Sequence, residues 1–506
     1  MARTIPAALA EASTRFADAP ALIDSPTCLT YRELHARTRI VAGALHTTGV
    51  RPGDRVAICA PNTHHWVEAA LGALSAGATL VPVNTRFTGP ETLDVLTRSK
   101  ARTLVVAGPF LGVDRLAELR NAGDPPGLRT IVRIPTDEQS PPDPHVIEWA
   151  DLDELAHDTP EPRISPDDVS DILFTSGTTG RSKGAMSAHR QALAVADSWS
   201  THAGLGQGDR YLVVNPFFHS FGYKAGILAC LLRGAAIVPQ AVFDTETTMA
   251  LIERERITVL PGPPTIYQSL LDHPNRDRYD LSSLRLAVTG AAMVPVTLVE
   301  RMRRDLSFDT VLTGYGLTEA VVATMCRHGD DADTVAHTCG RPTAGFELRI
   351  ADNTGEVLLR GPNVMLGYLD DPAATAAAID TDGWLHTGDV GRVDERGNLR
   401  ITDRLKDMYI CGGFNVYPAE VEQTLAQLPG VTDSAVIGVP DERLGEVGLA
   451  YVVTNHQLST SDIVGFCRAR LANYKVPRTV EFRTALPRNA SGKVLKQVLR
   501  TERNPT

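Results

Sequence analysis

The sequence predicts an α/β protein. A large N-terminal domain of several subdomains, built on parallel sheets plus a small antiparallel β portion, precedes a small α+β C-terminal domain. Three observations carry this. The chain has 506 residues, whereas a single hydrophobic core stops growing at about 250–300 residues. Apolar runs alternate with helically spaced segments over most of the length, which is the rhythm of parallel βαβ units. From about residue 346 the texture changes to short runs joined by tight-turn residues, as in antiparallel hairpins.

The elements follow in order. Residues 55–60 are an apolar run, 66–74 carry apolar side chains at helical spacing, and 79–83 are apolar again, predicting strand, helix and strand. The runs 172–175, 211–218, 258–261, 284–290 and 310–314 are predicted as buried strands, with helical segments such as 295–306 between them. Asn353-Thr354-Gly355 separates 346–352 from 356–360, and Glu395-Arg396-Gly397-Asn398 separates 390–393 from 399–402; both are hairpin signals. The C-terminal unit begins after Arg404. Pro418 stands where a helix starts, with Glu420 and Glu422 in its first turn, where carboxylates suit the helix dipole. Ile463, Phe466, Cys467, Leu471 and Tyr474 share one face over 462–474, predicting a surface helix. The polar, Pro-rich segment 137–144 is a surface loop.

Composition narrows the function classes. Hydrophobic residues are 43% and charged residues 22% of the chain, the balance of an ordinary globular protein. The formal net charge is -10, with Lys and Arg spread along the chain. That argues against nucleic acid or an anionic membrane surface as the main partner, but not against a phosphate-bearing substrate, which needs only a few donors. Seven cysteines, at 28, 59, 230, 326, 339, 411 and 467, form no C-x-x-C pair. This argues against a disulfide framework or zinc cluster and for a reducing compartment. The stretch before Glu11 is a poor signal peptide. The most apolar region, 222–243, is interrupted by Lys224 and Arg233, so its uncharged runs are too short for a membrane span. A cytoplasmic enzyme is expected.

The sharpest local signal is Thr175-Ser176-Gly177-Thr178-Thr179-Gly180-Arg181-Ser182-Lys183-Gly184, expected to join a strand to a helix starting near Ser187. Its glycines let the backbone approach a ligand, and its hydroxyls and cations surround that backbone with donors, as a polyphosphate requires. No Gly-Lys-Ser/Thr closes it, so it is not a Walker A loop. A surface turn is the plainer reading, which the donor density disfavours. The second signal is Thr313-Gly314-Tyr315-Gly316-Leu317-Thr318-Glu319, at the carboxyl edge of a predicted sheet, where α/β proteins bind ligands. Tyr315 can stack on a purine, Thr318 can bond a phosphate, and Glu319 offers Mg²⁺ a hard oxygen ligand. The third is Trp384-Leu385-His386-Thr387-Gly388-Asp389, whose carboxylate can take both ribose hydroxyls, although a turn or cap role is more common for such an Asp. The fourth is Asp403-Arg404-Leu405-Lys406-Asp407 with Gly412-Gly413-Phe414-Asn415-Val416-Tyr417-Pro418. The fifth is Pro487-Arg488-Asn489-Ala490-Ser491-Gly492-Lys493, where Ser491-Gly492 allows a sharp turn that presents Lys493.

In this order the motifs resemble the adenylate-forming superfamily of acyl-CoA synthetases, luciferases and peptide-synthetase adenylation domains. The resemblance runs from Leu29-Thr30-Tyr31-Arg32-Glu33-Leu34 to Lys493. It implies that Thr175, Ser176, Gly177, Thr178, Thr179, Gly180 and Lys183 hold the ATP phosphates, and that Gly290, Ala291 and Ala292 line the adenine. It implies that Tyr315, between Gly314 and Gly316, stacks on the adenine, that Thr318 and Glu319 contact phosphate and Mg²⁺, and that Asp389 and Arg404 take the ribose. Lys493 then bridges the acyl carboxylate and the α-phosphate, and His219 gates the acyl site. The small domain is implied to be mobile about Lys406, and Gly412 and Gly413 to line the route for coenzyme A. The implied boundaries are 1–403, a hinge at 404–406, and 407–506. Asp403 departs from the pattern, since Gly often precedes that arginine, and Thr289-Gly290-Ala291-Ala292 replaces a more glycine-rich version.

The implied activity is ATP-dependent acyl-CoA synthesis through an acyl-adenylate, with ATP, Mg²⁺ and coenzyme A as partners and a homodimer as the default assembly. An amino-acid-activating enzyme would place an aspartate near His219, and residues 215–222 contain no acid. A ligase delivering acyl groups to a carrier protein is the alternative. A luciferase shares the architecture but demands a special substrate. A non-catalytic adenylate-binding protein would have eroded Glu319, Asp389, Arg404, Lys406 and Lys493, all of which are present. The acyl pocket is expected among 218–224, 262–267, 290–293, 314–315 and 320–323. Lys224 within that lining suggests a medium-sized or ring-containing acid with a polar group; the plainer reading is that Lys224 faces solvent or pairs with an acid side chain. The chain also resembles actinobacterial synthetases of lipid and steroid breakdown, including those acting on propanoate side chains of degraded sterol rings.

Overall fold

The computed structural model describes residues 3–157, 160–175, 182–290, 294–405, 407–411, 414–441, 443–471, 473–489 and 492–503, with the backbone alone at 404, 410, 414 and 415. The string at residues 29–34 is a folding device. Thr30 caps the helix Tyr31–Thr47: its Oγ1 accepts from the Glu33 amide at 3.3 Å, while the Glu33 carboxylate accepts from the Thr30 amide at 2.8 Å. The buried Tyr31 hydroxyl then donates to the carbonyls of Cys230 and Ala235, at 2.8 and 2.7 Å. A local cap is thereby locked to a turn some two hundred residues away.

Two large sheets dominate the N-terminal part. The first has eight strands. Val169–Thr175, Thr79–Pro82, Arg55–Cys59, Thr103–Ala107, Thr130–Ile134 and Ile147–Glu148 are parallel neighbours in that order. Lys183–Ala188 and Gly367–Tyr368 add an antiparallel edge beside Val169–Thr175. In the second, Thr27–Thr30, Pro20–Asp24, Ala236–Pro239 and Arg210–Val213 lie side by side. Val259 bridges Tyr211 to Leu286 in parallel and so sutures that group to Leu286–Thr289 and Thr310–Tyr315. Helices such as His64–Ser75 and His189–Ala203 are buried along much of their length and share one hydrophobic core with this sheet. A third, antiparallel sheet orders Glu347–Ile350, Glu356–Arg360, Leu385–Val393 and Leu399–Arg404.

The C-terminal part has its own core, from Tyr409 to Leu499. Its sheet orders Phe414–Val416, Tyr409–Cys411, Gly445–Thr454 and Val431–Asp441, with Thr479–Phe482 parallel to Gly445–Thr454. The helix Pro418–Leu425 begins at Pro418, as predicted. Asp403 is buried, and its Oδ2 accepts from the Ala419 amide at 2.9 Å, supplying the acceptor that the start of this helix needs. No described helix is long and apolar enough to cross a membrane.

The α/β class, the strand–helix–strand unit at 55–83 and both hairpins appear as expected. Three elements differ. The run 211–218 is a strand only to Val213, because Pro216 has no amide to donate and the chain leaves the sheet there. The strand expected at 258–261 is one bridged residue, Val259, between two sheet neighbours. The helix expected over 462–474 spans Thr460–Arg468; Leu471 and Tyr474 extend the apolar stripe because they pack on the same core beyond the helix end.

Replacing Tyr31 by Phe removes the donor shared by two buried carbonyls. The expected cost is about 1–3 kcal/mol, read as a lowered thermal midpoint with unchanged specific activity of the folded enzyme.

Candidate active site

Of the predicted site residues, Thr175, Lys183, Gly290 and Tyr315 stand at or just beyond strand ends of the two large sheets. Thr175 closes Val169–Thr175, and Lys183 opens the next strand. These strands are antiparallel partners, with Thr175 opposite Lys183. The loop between them therefore joins two strands of a hairpin, and the helix expected near Ser187 starts instead at His189. Small residues at 184, 185, 187 and 188 let the returning strand lie between its neighbours: Leu366 donates its amide to Met186 and Leu369 donates to Gly184. Ser176, Gly177, Thr178, Thr179 and Gly180 lie outside the described residues.

The second motif turns sharply at the end of Thr310–Tyr315. A Cβ on Gly316 would lie 1.5 Å from the Val321 carbonyl oxygen, so only glycine permits this approach. The Val321 amide closes back on Leu317 at 2.6 Å, and Ala323 returns to Tyr315 at 2.9 Å. Thr318 and Glu319 sit in this turn, both half-buried. Gly290 follows Leu286–Thr289, and a Cβ there would meet the Gly314 carbonyl at 3.0 Å. The two strand ends thus approach closely. Ala291 and Ala292 lie outside the described residues.

Two hydrogen bonds tie this turn to the rest of the site. The Tyr315 hydroxyl donates to Asp389 Oδ2 at 2.6 Å. Asp389 is buried and stands directly opposite Arg404 across the antiparallel pair, so register brings the predicted ribose residues together. The Tyr368 hydroxyl donates to Glu319 Oε1 at 2.6 Å, and the Lys183 ammonium lies 4.9 Å from the centre of the Tyr368 ring. Desolvation, and then the Glu319 charge, push the Tyr368 pKa up, so the phenol stays a donor. Sequence reasoning missed Tyr368. A Gly-Tyr pair carries no motif, and only the pairing of Tyr368 with Ala185 brings it to Lys183.

His219 lies on the segment that leaves the second sheet. His219 is an exposed residue. Desolvation lowers its pKa from the ordinary 6.5, and Nδ1 accepts from the Phe221 amide at 3.2 Å, so the neutral ring keeps its other nitrogen for a donor role. Asn62, also missed, pins this segment. Its amide donates to the carbonyls of Val213 and Asn215, at 3.0 and 2.9 Å, and its oxygen accepts from the Phe217 amide at 2.8 Å. Of the sequence expectations for Lys224, pairing with an acid side chain holds and a substrate contact does not. The lysine is 1% exposed, its Nζ lies 2.8 Å from Asp171 Oδ1 and 2.8 Å from Ser187 Oγ, and it therefore serves an internal ion pair rather than a substrate group.

Lys493 sits in a tight turn of the C-terminal part. Its amide donates to Asn489 Oδ1 at 2.9 Å, and its carbonyl accepts from the Asn489 amide at 2.8 Å. Arg488, bonded to Asp433, anchors that turn to the long strand Val431–Asp441. Lys406, Gly412 and Gly413 lie outside the described residues, as does the side chain of Arg404.

Among the described residues no group of three or more His, Cys, Asp or Glu side chains is arranged to hold a metal ion. One half-buried carboxylate, Glu319, beside a phosphate-type loop suits Mg²⁺, which takes one or two protein carboxylates and completes its shell with substrate phosphates and water. Gly316→Ala forces Thr318 and Glu319 out of this turn. The expected result is an ATP dissociation constant raised about tenfold or more by isothermal titration, since displacements near 1 Å cost on the order of 10²-fold in such sites.

The sequence matches the AMP-binding enzyme family over residues 9–369 and the AMP-binding enzyme C-terminal domain over residues 420–493. A 3-[(3aS,4S,7aS)-7a-methyl-1,5-dioxo-octahydro-1H-inden-4-yl]propanoyl:CoA ligase of Rhodococcus jostii is 59% identical over 509 residues, covering 99% of each chain. The ligase of the same name from Mycobacterium tuberculosis is 59% identical over 503 residues, covering 98% of each chain. Among solved structures, the anthranilate CoA ligase AuaEII in complex with anthranoyl-AMP has a TM-score of 0.89 and 28% identity, over 99% of this chain and 97% of that one. With both regions matched in order, the chain belongs to the AMP-binding enzyme family.

Proposed function

We propose that the protein is an ATP-dependent acyl-CoA synthetase whose acid is a propanoate borne on a fused-ring, steroid-derived skeleton. The observation that carries this is the 59% identity, over 99% of both chains, to a ligase of that chemistry. The gathering of Lys183, Glu319, Tyr368, Tyr315 and Asp389 at the strand ends supports it.

On this reading the adenine stacks on Tyr315 beside Gly290, and Asp389 with Arg404 holds the ribose hydroxyls. Residues 175–184 and Thr318 hold the phosphates. A carboxylate oxygen attacks the α-phosphorus, forming the acyl–phosphate bond and breaking the bond to pyrophosphate. Lys493 lies between the two anions and stabilises the charge of the transition state. Mg²⁺ held at Glu319 would neutralise the departing pyrophosphate. Neutral His219 closes the acyl site without adding charge beside the mixed anhydride. The thiol sulfur of coenzyme A, arriving past Gly412 and Gly413, then attacks the acyl carbonyl. A thioester forms, AMP departs, and the thiol proton goes to solvent. The two steps need different groups around one adenylate, which gives a hinge at Lys406, between 1–403 and 407–506, its purpose.

The test supplies ATP, Mg²⁺ and coenzyme A with the fused-ring propanoate, octanoate, palmitate or benzoate, and follows AMP and acyl-CoA by mass spectrometry. The fused-ring acid should exceed the others by about tenfold or more in kcat/KM. Lys493→Ala should lower the adenylation rate by on the order of 10²-fold or more while ATP still binds. Preference for a linear acid would overturn the substrate assignment, and adenylate without acyl-CoA would favour a carrier-protein acceptor.

A further inference from the structure

The buried pair between Lys224 and Asp171 has a place in the fold that its chemistry alone does not require. Lys224 lies within the π-helical segment Phe221–Leu228, which begins two residues after His219. The Ala229 amide reaches back five residues to the Lys224 carbonyl, the bond that defines the widened turn. Such turns hold a residue more than an α-helix does, and they are frequent at functional sites. Gly222 closes the segment against its own approach: a Cβ there would lie 2.2 Å from the Pro216 carbonyl oxygen and 2.5 Å from that of Asn215.

The other partners lie on the hairpin that carries the phosphate-type loop. Asp171 is in Val169–Thr175, and Ser187 is in Lys183–Ala188. Asp171 Oδ2 also accepts from the Ser170 hydroxyl at 2.7 Å. Both strands are held by sheet neighbours, Val169–Thr175 by strands on either side. The π-helical segment is in no sheet. Its lysine, 1% exposed against a fully buried carboxylate, tethers it to that rigid hairpin. A buried ion pair is a poor way to gain stability, since apolar residues of similar size fill such a space at equal or lower cost. What it does supply is one fixed distance and direction between the hairpin and the segment.

We propose that Lys224 and Asp171 are positioning residues that hold the π-helical wall of the acyl site at a fixed distance from the hairpin strands Val169–Thr175 and Lys183–Ala188, and thereby set which acids fit. This rests on the reading that residues 218–224 line the acyl site. The hairpin is the anchored side, so loosening the tether moves the wall and leaves the nucleotide contacts in place.

The experiment compares wild type, Lys224→Met, and the double variant Lys224→Met with Asp171→Leu. The single variant leaves a buried carboxylate without its partner and should melt well below wild type. The double variant removes both charges and should regain most of the melting temperature. It should still show a KM for the preferred acid raised about tenfold or more, altered discrimination between fused-ring and linear acids, and a KM for ATP within about twofold of wild type. Wild-type KM for the acid in a double variant of restored stability would overturn the proposal, as would an equal rise in both KM values. Asp171→Asn, which keeps the shape of the carboxylate and removes its charge from the pair, gives a second reading if the double variant does not fold. A raised KM for the acid alone supports the proposal, and an unchanged KM overturns it. If wild type prefers another acid, the substrate assignment of the previous section fails by itself, and the same comparison with that acid still decides the role of Lys224.

Discussion

The hydrogen bond from Tyr315 to Asp389 joins two parts of the chain that no sheet joins. Tyr315 ends a strand of the second large sheet, and Asp389 lies in the middle of the antiparallel sheet. A flat aromatic surface is thereby fixed beside a carboxylate that the fold has already placed opposite Arg404. An aromatic face and a bidentate acceptor at one spacing are what a nucleoside offers and needs. The turn at Gly316 depends on the same placement, because it leaves Tyr315 and must return within a few residues to the Val321 carbonyl. The turn in turn sets Glu319, and Tyr368 holds Glu319 beside Lys183. The candidate site is thus a chain of short contacts between strand ends, each supported by sheet pairing rather than by a loop alone.

Much of this was legible in the sequence. The Gly-Tyr-Gly turn and the Thr-Gly-Asp end announce themselves because each uses residue types that local geometry restricts. Tyr368 and Asn62 were not legible. Their roles come from pairing across long sequence distances: the strand Gly367–Tyr368 against Ala185 and Met186, and the Asn62 amide against the carbonyls of Val213 and Asn215. Nothing in the local pattern of either residue differs from an ordinary surface or cap position.

Lys224 illustrates the opposite failure. Its charge within an apolar stretch drew attention as a substrate contact, whereas burial against Asp171 turns it inward. Sequence alone could not decide between these, because the partner lies on another sheet element. The phosphate-type loop was likewise expected to lead into a helix. The small residues after it are equally suited to a strand squeezed between two neighbours, and the segment Leu366–Leu369 supplies the second neighbour. Asp403, a departure from the commoner glycine, has a local purpose as the acceptor for the amide of Ala419.

The most direct test of the account follows the oxygen atoms. The preferred acid, labelled with ¹⁸O in its carboxyl group, would be turned over with ATP and coenzyme A, and the products analysed by mass spectrometry. Attack of the carboxylate on the α-phosphorus places one labelled oxygen in each AMP and none in pyrophosphate. Label in inorganic phosphate, with ADP as the nucleotide product, would mean attack at the γ-phosphate and would contradict the adenylate site described above.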